Sequence, residues 1–241
     1  IPGGVKCKPP FEMGVANLKE YLKEISHEDA INFVLSKHYA GRKPQITKAY
    51  GWYVEDELVA VCTFGKPATP RLCEGICGKQ FSHNVYELNR LVRIEDFKGQ
   101  LSKFVAKCLR ELKKEDWIVV SYADSGMSHH GYIYQACNFI YTGCTKQRTD
   151  KYVEGKHARH AIDDPNGIRQ IRTAKYRYVY FCTSDRKLKK QWEQSLNYDI
   201  LPYPKGDNEN YELGTTYTPV LIDKDKNIIH IDNEHTMKIN T

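Results

Sequence analysis

The chain has 241 residues, of which 41% are hydrophobic and 27% are charged, and its formal net charge is +6. This composition is typical of a globular protein with a buried core and excludes an intrinsically disordered chain. No apolar run approaches the roughly 20 residues that a membrane-spanning helix needs, so we expect no membrane partner.

The cysteines indicate a reduced protein. Cys62, Cys108 and Cys182 lie inside apolar segments, where a reduced cysteine behaves as a small hydrophobic residue. Cys73 and Cys77 are close together, but the second Cys/His pair of a zinc site is missing from the pattern. We therefore expect buried free thiols and a cytoplasmic protein.

The positive charge is concentrated in one part of the chain. Between Lys146 and Lys190 there are thirteen Lys and Arg residues against five Asp and Glu, whereas residues 206–241 contain three Lys against seven Asp and Glu. A basic block of this kind suits contact with phosphate groups. The alternative is a solvated surface without a partner.

The first third of the chain predicts an irregular arm, a helix and a hairpin. Residues 1–15 are rich in proline and glycine. Ser26, followed by two acidic residues, is typical of the N-cap of a helix that ends near His38. Two strand-like runs and a predicted loop follow, at 50–54, 58–64 and 68–84.

The middle of the chain predicts two strands joined by a helix. A strand at 85–92 precedes an amphipathic helix from Leu101 to Leu112, and a buried strand at 117–122 follows. Such a unit requires a parallel strand pair with a crossover helix. With the hairpin before it, the unit predicts an α/β fold with a mixed, largely antiparallel central sheet and flanking helices. Further predicted elements are a helix at 130–138, a strand at 139–142, a basic loop at 146–172, a strand at 175–182, a helix at 186–196 and a short hairpin near 220–222 and 228–231.

Reactive groups in such a unit collect where the parallel strands end and the next helix begins. These positions are Glu87–Arg93, Ser121–Asp124 and residues 97–102. The helix start offers backbone N–H groups and the positive end of the helix dipole, which together suit a diphosphate.

The order of these elements resembles that of the GNAT (N-acetyltransferase) superfamily, in which a tyrosine-bearing helix follows the second central strand. The resemblance implies an acyl-CoA-type donor, acetyl-CoA by default. The phosphate loop of that superfamily usually reads R/Q-x-x-G-x-G/A, whereas Phe97-Lys-Gly-Gln-Leu-Ser102 keeps one glycine. The contacts that bind the phosphates of the donor should therefore differ. The donor-binding candidates are Leu91, Val92, Lys98, Gly99, Gln100 and Ser102.

Several strings also resemble the phage Mom family over residues 30–207. They are His38-Tyr39, Tyr86-Glu-Leu-Asn-Arg-Leu91, Ser102, Ser121-Tyr-Ala-Asp124, His130-Gly-Tyr-Ile-Tyr-Gln-Ala136, Lys156-His-Ala-Arg-His160 and Leu201-Pro-Tyr-Pro-Lys-Gly-Asp207. This resemblance implies a phage- or prophage-encoded enzyme of the bacterial cytoplasm that converts adenine in DNA to N6-(carbamoylmethyl)adenine and protects the DNA from host restriction. The product joins N6 to a methylene carbon, so acetyl transfer from a thioester does not account for it, and the donor stays open.

Three residues are candidates for binding and proton transfer, and we expect them to converge on one pocket beside the start of the helix near Ser102. Arg90 could hold a carboxamide, carboxylate or phosphate, or alternatively form an ion pair with Glu87 or Asp124. Asp124 could act as a base or orient an amine, or alternatively cap the next helix. Tyr134 is the preferred general acid, with Tyr132 and Tyr141 as competitors. The alternative for each tyrosine is simple packing.

Three further residues complete the catalytic candidates. Ser102 could bind a donor phosphate or thioester, or simply fill the first helical turn. His38 and Tyr39 could reach the target base or a metal ion. A histidine at a helix C-terminus is alternatively favoured by the helix dipole.

The family reaction requires double-stranded DNA with a flipped adenine, since N6 is inaccessible in the duplex. Trp52, Tyr53 and Tyr122 are candidates for stacking on the flipped base. Residues of the basic loop would hold the DNA backbone: Lys146, Arg148, Lys151, Lys156, Arg159 and Arg172.

The predicted organisation is an arm at 1–15, a GNAT-like catalytic domain at 16–205 with a basic insertion at about 146–172, and an acidic extension at 206–241. Two other functions remain open. One is a GNAT-like N-acyltransferase acting on a small amine or a protein. The other is a non-catalytic DNA-binding protein on a GNAT-like fold.

Overall fold

Two β-sheets and five α-helices form the fold described by the computed structural model, which covers residues 18–94, 100–154, 161–207, 209, 213–215, 217–229 and 235–239. The predicted arm at 1–15 and the candidates Lys98, Gly99, Lys156 and Arg159 lie outside these residues. In chain order the elements are β1 (Glu20–Glu24), α1 (His27–Lys37), β2 (Lys48–Val54), β3 (Glu57–Gly65), α2 (Pro70–Cys77), β4 (Val85–Arg93), α3 (Leu101–Leu112), β5 (Trp117–Asp124), α4 (Tyr132–Ala136), β6 (Ile140–Cys144), β7 (Arg148–Lys151), β8 (Arg169–Arg172), β9 (Lys175–Cys182), α5 (Arg186–Gln194), β10 (Leu221–Ile222) and β11 (Ile228–Ile229).

The large sheet has the strand order β1-β2-β3-β4-β5-β9-β6. Strands β4 and β5 pair in parallel, and the other neighbouring strands described in this sheet pair antiparallel. Helix α3 connects the parallel pair. The predicted α/β class, with a mixed and largely antiparallel sheet, is therefore confirmed, as is the predicted crossover helix.

Helices cover both faces of the large sheet. On one face, here called the α3 face, α3 buries five side chains at helical spacing, among them Phe104 and Leu112, and α4 packs beside it. The opposite face, here called the α1 face, is covered by α1, α2 and α5. There Ala30 and Val34 pack near Val61, and Trp192 is fully buried.

The predicted start of α1 is confirmed. The Ser26 hydroxyl accepts a hydrogen bond from the backbone N–H of Asp29 at 3.0 Å, which satisfies one of the N–H groups at the helix start. Helix α3 also begins at the predicted residue, Leu101, and its apolar side chains face the sheet as predicted.

Three predicted loops or bounds were wrong. The loop predicted at 68–84 contains α2 and a 3-10 helix, Lys79–Asn84. The basic loop contains the hairpin strands β7 and β8, whose sequence lacks alternation because only Ile171 among them is buried. The helix predicted at 130–138 is shorter, since Gly131 has φ of 79° and lies against the Tyr178 ring, where a Cβ atom would collide.

The acidic extension joins the basic insertion in a second sheet of order β11-β10-β8-β7. The predicted hairpin near 220–222 and 228–231 is confirmed by the antiparallel pair of β10 and β11. The division into a catalytic domain and an extension stays a prediction, although β10 pairs directly with β8.

The cysteine prediction holds for the described part of the chain. Seven cysteines there are free thiols, and all of these except Cys144 are buried. None of the described helices is long and apolar enough to span a lipid bilayer.

We predict that Phe104→Ala lowers the free energy of unfolding by about 3–5 kcal/mol, because the ring is fully buried between α3 and the sheet. Urea unfolding measures the change. The control is Arg110→Ala on the exposed side of the same helix, which should stay within about 0.5 kcal/mol of the wild type. Equal effects of the two substitutions would contradict the packing described for α3.

Candidate active site

The two parallel strands separate halfway along their length. Their pairing ends at Leu88 and Ser121, although β4 continues to Arg93 and β5 to Asp124. Beyond that point β4 pairs with β3 alone and β5 with β9 alone. This opening, here called the strand gap, lies in the centre of the sheet beside the start of α3.

A β-bulge at Asn89 contributes to the gap. Thr63 of β3 faces Arg90, and its neighbour Phe64 faces Leu88, so Asn89 is an extra residue in β4. The Asn89 side chain is held by Thr63 at 2.6 Å and by the carbonyl of Gln45 at 2.8 Å. Bulges re-aim the side chains that follow them, and here Arg90 is turned toward the α1 face.

The catalytic candidates approach the gap from opposite faces of the sheet. By strand alternation, Arg90 and Asp124 lie on the α1 face, whereas Tyr134 and Ser102 belong to helices on the α3 face. The expectation of one shared pocket is therefore corrected: these residues surround the gap from its two sides.

On the α3 face, Tyr134 lies against the point where the strands separate. Ser121 donates a hydrogen bond to the carbonyl of Leu88 at 3.0 Å, directly at that point. Burial raises the pKa of Tyr134, and a hydrogen bond with Ser121 opposes the rise. The Tyr134 ring packs against Phe139 and Tyr178, each at 5.4 Å between ring centroids. A tyrosine of this kind keeps its proton at neutral pH. Of its competitors, Tyr132 is 68% exposed and Tyr141 is buried beside Cys144.

On the α1 face, both oxygens of Asp124 are occupied. Oδ1 accepts from the backbone N–H of Gly126 at 3.0 Å and from the Thr173 hydroxyl at 2.5 Å, and Oδ2 pairs with Lys175 at 2.8 Å. Burial raises the pKa of Asp124, but the charge and hydrogen bonds of Lys175, Thr173 and Gly126 outweigh it and lower the pKa. This geometry matches the capping alternative, and it makes Asp124 a weak base.

Glu87 is a carboxyl group that the sequence suggested only as an ion-pair partner. It lies on β4 beside the last parallel pairs, on the α1 face. Burial raises the pKa of Glu87, while the charges of Lys175 and Arg90 lower it. Its own charge raises the pKa of Tyr134, so its field extends across the gap. Its place on the strand that carries Arg90 was the signal that could have identified it.

Arg90 contacts backbone carbonyl groups. Nη1 donates to the carbonyl of Asn89 at 2.6 Å, and Nη2 lies 3.5 Å from that of Arg42. The carboxylate of Asp124, one of the two suggested ion-pair partners of Arg90, is instead paired with Lys175.

His38 and Tyr39 end α1 at the same side of the gap. The His38 Nδ1 atom accepts from the backbone N–H of Ala40 at 3.0 Å, and its ring stacks on Tyr39 with a centroid distance of 4.4 Å. Burial lowers the pKa of His38 to about 3, with help from the charges of Arg90, His129 and Lys175. A neutral imidazole gains nothing from the helix dipole. In the described part of the chain no group of three His, Cys, Asp or Glu residues could hold a metal ion.

The donor-binding candidates that the structure describes lie near the start of α3. Gln100 precedes the helix without capping it through its side chain. The backbone carbonyl of Ser102 accepts a weak hydrogen bond from the Cys137 thiol at 3.3 Å, which links α3 to α4. On β4, Leu91 packs on the α3 face and Val92 is buried on the α1 face.

Two of the three aromatic residues predicted to stack on a base, Trp52 and Tyr53, pack against other aromatic rings of the protein. Trp52 has no exposed surface and packs on Phe104 at 5.8 Å, so its stacking role was wrong. Tyr53 stacks on Tyr21 at 5.1 Å, near the edge strand. Tyr122 lies on the α1 face, where burial and then the charge of Glu87 raise its pKa.

The described basic candidates form a hairpin next to the gap. Arg148 and Arg172 face each other across β7 and β8, and Asp150 lies within 3.8 Å of the first and 3.7 Å of the second. Lys151 pairs with Asp163 at 2.9 Å, and Lys146 is exposed. Strand β8 ends at Arg172 and β9 starts at Lys175, so the hairpin adjoins Lys175, which pairs with Asp124 at 2.8 Å.

Two cavities among the described residues lie outside the gap. The larger, about 430 Å³, is at the C-terminal end of α3 and is lined by none of the candidate residues. The smaller, about 40 Å³, lies between the turn at Gly126 and the extension residues Tyr217 and Lys238. Neither cavity is lined by a catalytic candidate.

The strand order, the crossover helix and the gap agree with the GNAT-like fold that the sequence predicted. A family model matches residues 19–205, described as the Mom protein family. The chain belongs to the Mom protein family, and the predicted resemblance is confirmed. A comparison with curated protein sequences found no match.

Solved structures of acetyltransferases are similar to this chain at low sequence identity and with TM-scores below 0.5. An acetyltransferase from Bacillus subtilis in complex with CoA is 18% identical, with a TM-score of 0.39, covering 68% of this chain and 98% of its own. The ribosomal-protein-S18-alanine N-acetyltransferase from Escherichia coli is 8% identical, with a TM-score of 0.44 and coverages of 69% and 96%. A GNAT family acetyltransferase from Elizabethkingia anophelis with acetyl-CoA bound is 12% identical, with a TM-score of 0.39 and coverages of 67% and 97%.

We predict that His38 makes folding stability depend on pH. The pKa of His38 is 6.5 in the unfolded chain and about 3 in the folded protein. The contribution of the neutral, buried His38 to the free energy of unfolding is therefore complete above pH 6.5 and is lost as the pH falls toward 3. The loss approaches about 1.4 kcal/mol per pH unit within this window. His38→Gln should flatten the dependence in urea unfolding between pH 7 and pH 5. The exposed His27→Gln is the control, and parallel profiles for wild type and His38→Gln would contradict the prediction.

Proposed function

We propose that this protein is a DNA-modifying transferase that converts adenine in DNA to N6-(carbamoylmethyl)adenine. Membership of the Mom family and the strand gap flanked by Glu87, Arg90 and Tyr134 support this proposal. The modification would protect phage DNA from host restriction in the bacterial cytoplasm.

Access to the target requires that the adenine leave the helix. N6 is buried in the base pair and its lone pair is conjugated with the ring, so the duplex must release the base at a cost of a few kcal/mol. The basic hairpin next to the gap would hold the DNA backbone without reading its sequence. Tyr39 and Tyr122, on the α1 face, are then our candidates for stacking on the base.

Glu87 is the group that would take the proton from the adenine N6 atom. The N6 atom loses a proton as its new bond to carbon forms, and a carboxylate with a raised pKa is a better acceptor than one with a lowered pKa. Asp124 instead holds Lys175 in place. On the α3 face, Tyr134 keeps a proton that it could give to a leaving group.

The donor side is consistent with an acyl-CoA-type molecule. The start of α3 has no side-chain cap, so its N–H groups suit a diphosphate, and Ser102 lies in the first turn. A CoA-type molecule bound there would place its diphosphate at the helix start, but thioester acyl transfer would join N6 to a carbonyl carbon and not to the methylene carbon of the proposed product. The methylene link in the proposed product differs from simple acyl transfer, so the donor must be identified by experiment.

The test is mass analysis of nucleosides from the DNA of cells that express the protein. We expect a deoxyadenosine heavier by one carbamoylmethyl group. Tyr134→Phe should reduce this product by about 100-fold or more, because it removes a general acid. Tyr132→Phe, on the same helix but 68% exposed, should leave the yield unchanged.

Other results would support other functions. Unmodified nucleosides together with acylation of a small amine or protein would favour an N-acyltransferase. Unmodified nucleosides together with tight DNA binding that is insensitive to Tyr134→Phe would favour a non-catalytic DNA-binding protein.

We also predict that charge reversal in the hairpin weakens DNA binding. Lys146→Glu with Arg148→Glu should lower the affinity for duplex DNA and flatten its dependence on salt, because fewer counterions are released. Lys187→Glu with Lys190→Glu, on exposed positions of α5, is the control of equal charge. An equal loss in both double variants would indicate a general charge effect and count against the hairpin.

A further inference from the structure

The two ends of the basic hairpin are hydrogen-bonded to each other at its base. The chain leaves the large sheet after β6 and returns to it at Lys175, the first residue of β9. There the backbone N–H of Lys175 donates to the Thr145 hydroxyl at 2.9 Å, and the backbone N–H of Thr145 donates to the Lys175 carbonyl at 2.9 Å. The base of the hairpin is therefore a defined point on the sheet.

The connection between β8 and β9 is also bonded to the end of β5. Thr173 donates to Asp124 Oδ1 at 2.5 Å, and Lys175 pairs with Asp124 Oδ2 at 2.8 Å. The backbone N–H and the hydroxyl of Ser125 both donate to the Ala174 carbonyl, at 3.1 Å and 2.8 Å. These contacts of Asp124 and Ser125 with residues 173–175 are here called the hairpin clamp. Asp124 and Thr173 are only 4% and 7% exposed, which strengthens the bond between them.

Close packing restricts the clamp further. A Cβ atom at Gly126 would lie 2.6 Å from Thr173 Cγ2, so the turn after β5 closes directly on the Thr173 side chain. The Gly126 N–H also shares Asp124 Oδ1 with the Thr173 hydroxyl. The hairpin base cannot move along β5 without breaking these contacts.

The clamp joins the hairpin to one side of the strand gap. Strand β5 borders the gap from Ser121 to its last residue, Asp124. Contacts between the hairpin and DNA phosphates would fix where the duplex lies on the protein. A displacement of about 1 Å at a reacting group can lower a rate by about 100-fold. A hairpin that moved relative to β5 would therefore still bind DNA but would present the base in the wrong place.

We propose that Thr173 is a positioning residue. Through its hydrogen bond to Asp124 it fixes the basic hairpin relative to the strand gap, so that DNA bound by the hairpin presents its base to the gap. The consequence for the reaction rests on the proposed function, whereas the clamp itself does not. In this role Thr173 acts through Asp124 and does not need to touch the DNA.

The experiment compares Thr173→Val, which removes the hydroxyl and nearly keeps the shape, with a matched control. Thr183 lies at the opposite end of the β5–β9 pair, is also 7% exposed, and donates to Asp116 at 2.5 Å. Nucleosides from cells that express each variant are analysed by mass. We expect Thr173→Val to lower the yield of modified deoxyadenosine by about 10-fold or more, and Thr183→Val to leave the yield unchanged.

DNA affinity and melting temperature separate positioning from binding and folding. Both valine variants should bind duplex DNA with the affinity and salt slope of the wild type, because the lysines and arginines of the hairpin are unchanged. Their melting temperatures should fall by similar amounts, since each loses one hydrogen bond to a carboxylate. Thr173→Ser keeps the hydroxyl and should keep the yield. Equal yields in the two valine variants, weaker DNA binding by Thr173→Val, or a low yield with Thr173→Ser would overturn the proposal.

A second substitution interrupts the clamp from the side of β5. Ser125→Ala removes the hydroxyl bond to the Ala174 carbonyl and should lower the yield in the same direction as Thr173→Val. It replaces Thr173→Val if that variant does not fold. A wild-type yield with Ser125→Ala would then overturn the proposal.

Amide hydrogen exchange tests the clamp without turnover. The backbone N–H groups of Ser125 and Gly126 should exchange faster in Thr173→Val than in the wild type, and at the wild-type rate in Thr183→Val. Unchanged exchange in Thr173→Val would overturn the clamp. If the wild type leaves adenine unmodified while exchange increases, the proposed reaction fails and the clamp stands. If adenine is modified and Thr173→Val gives the wild-type yield, only the positioning role fails.

Discussion

The separation of β4 and β5 after Leu88 and Ser121 is the constraint on which the site depends. Parallel strands normally stay paired, since buried N–H and C=O groups without partners cost about 1–3 kcal/mol each. Here the Ser121 hydroxyl satisfies the Leu88 carbonyl at the point of separation, and the bulge at Asn89 turns β4 away. The opening is therefore built from compensated hydrogen bonds, and it connects the two faces of an otherwise closed sheet.

This connection allows the two faces to carry different chemistry. The α3 face offers a helix start and a buried tyrosine that holds its proton. The α1 face carries the charged groups Glu87, Arg90 and Asp124, and Asp124 pairs with Lys175. The charge of Glu87 affects groups on both faces of the sheet. It raises the pKa of Tyr134 on the α3 face, and the charges of Lys175 and Arg90 lower the pKa of Glu87 itself. Under the proposed function, this division would keep the DNA-binding surface apart from the donor site.

Much of the fold could be predicted from local patterns. The six apolar positions of α3, the continuous apolar run of β5 and the cap at Ser26 each express one local requirement, so the elements and the parallel pair were correct. Strand β1, helix α2 and the β7–β8 hairpin were missed. Their sequences are short and polar, and they are ordered by pairing with β2, packing near Trp192 and pairing with β10, which are contacts between distant residues.

The sequence by itself determined the α/β class, the family and the residue types gathered around the central strands, because periodicity and motif strings are properties of neighbouring residues. Only the tertiary structure decided which groups face each other. It separated Arg90 from Tyr134 by the thickness of the sheet and engaged Asp124 with Lys175 and Thr173. Charge, burial and pKa depend on these through-space contacts, and residues 49 positions apart in the chain carry no local signal of them.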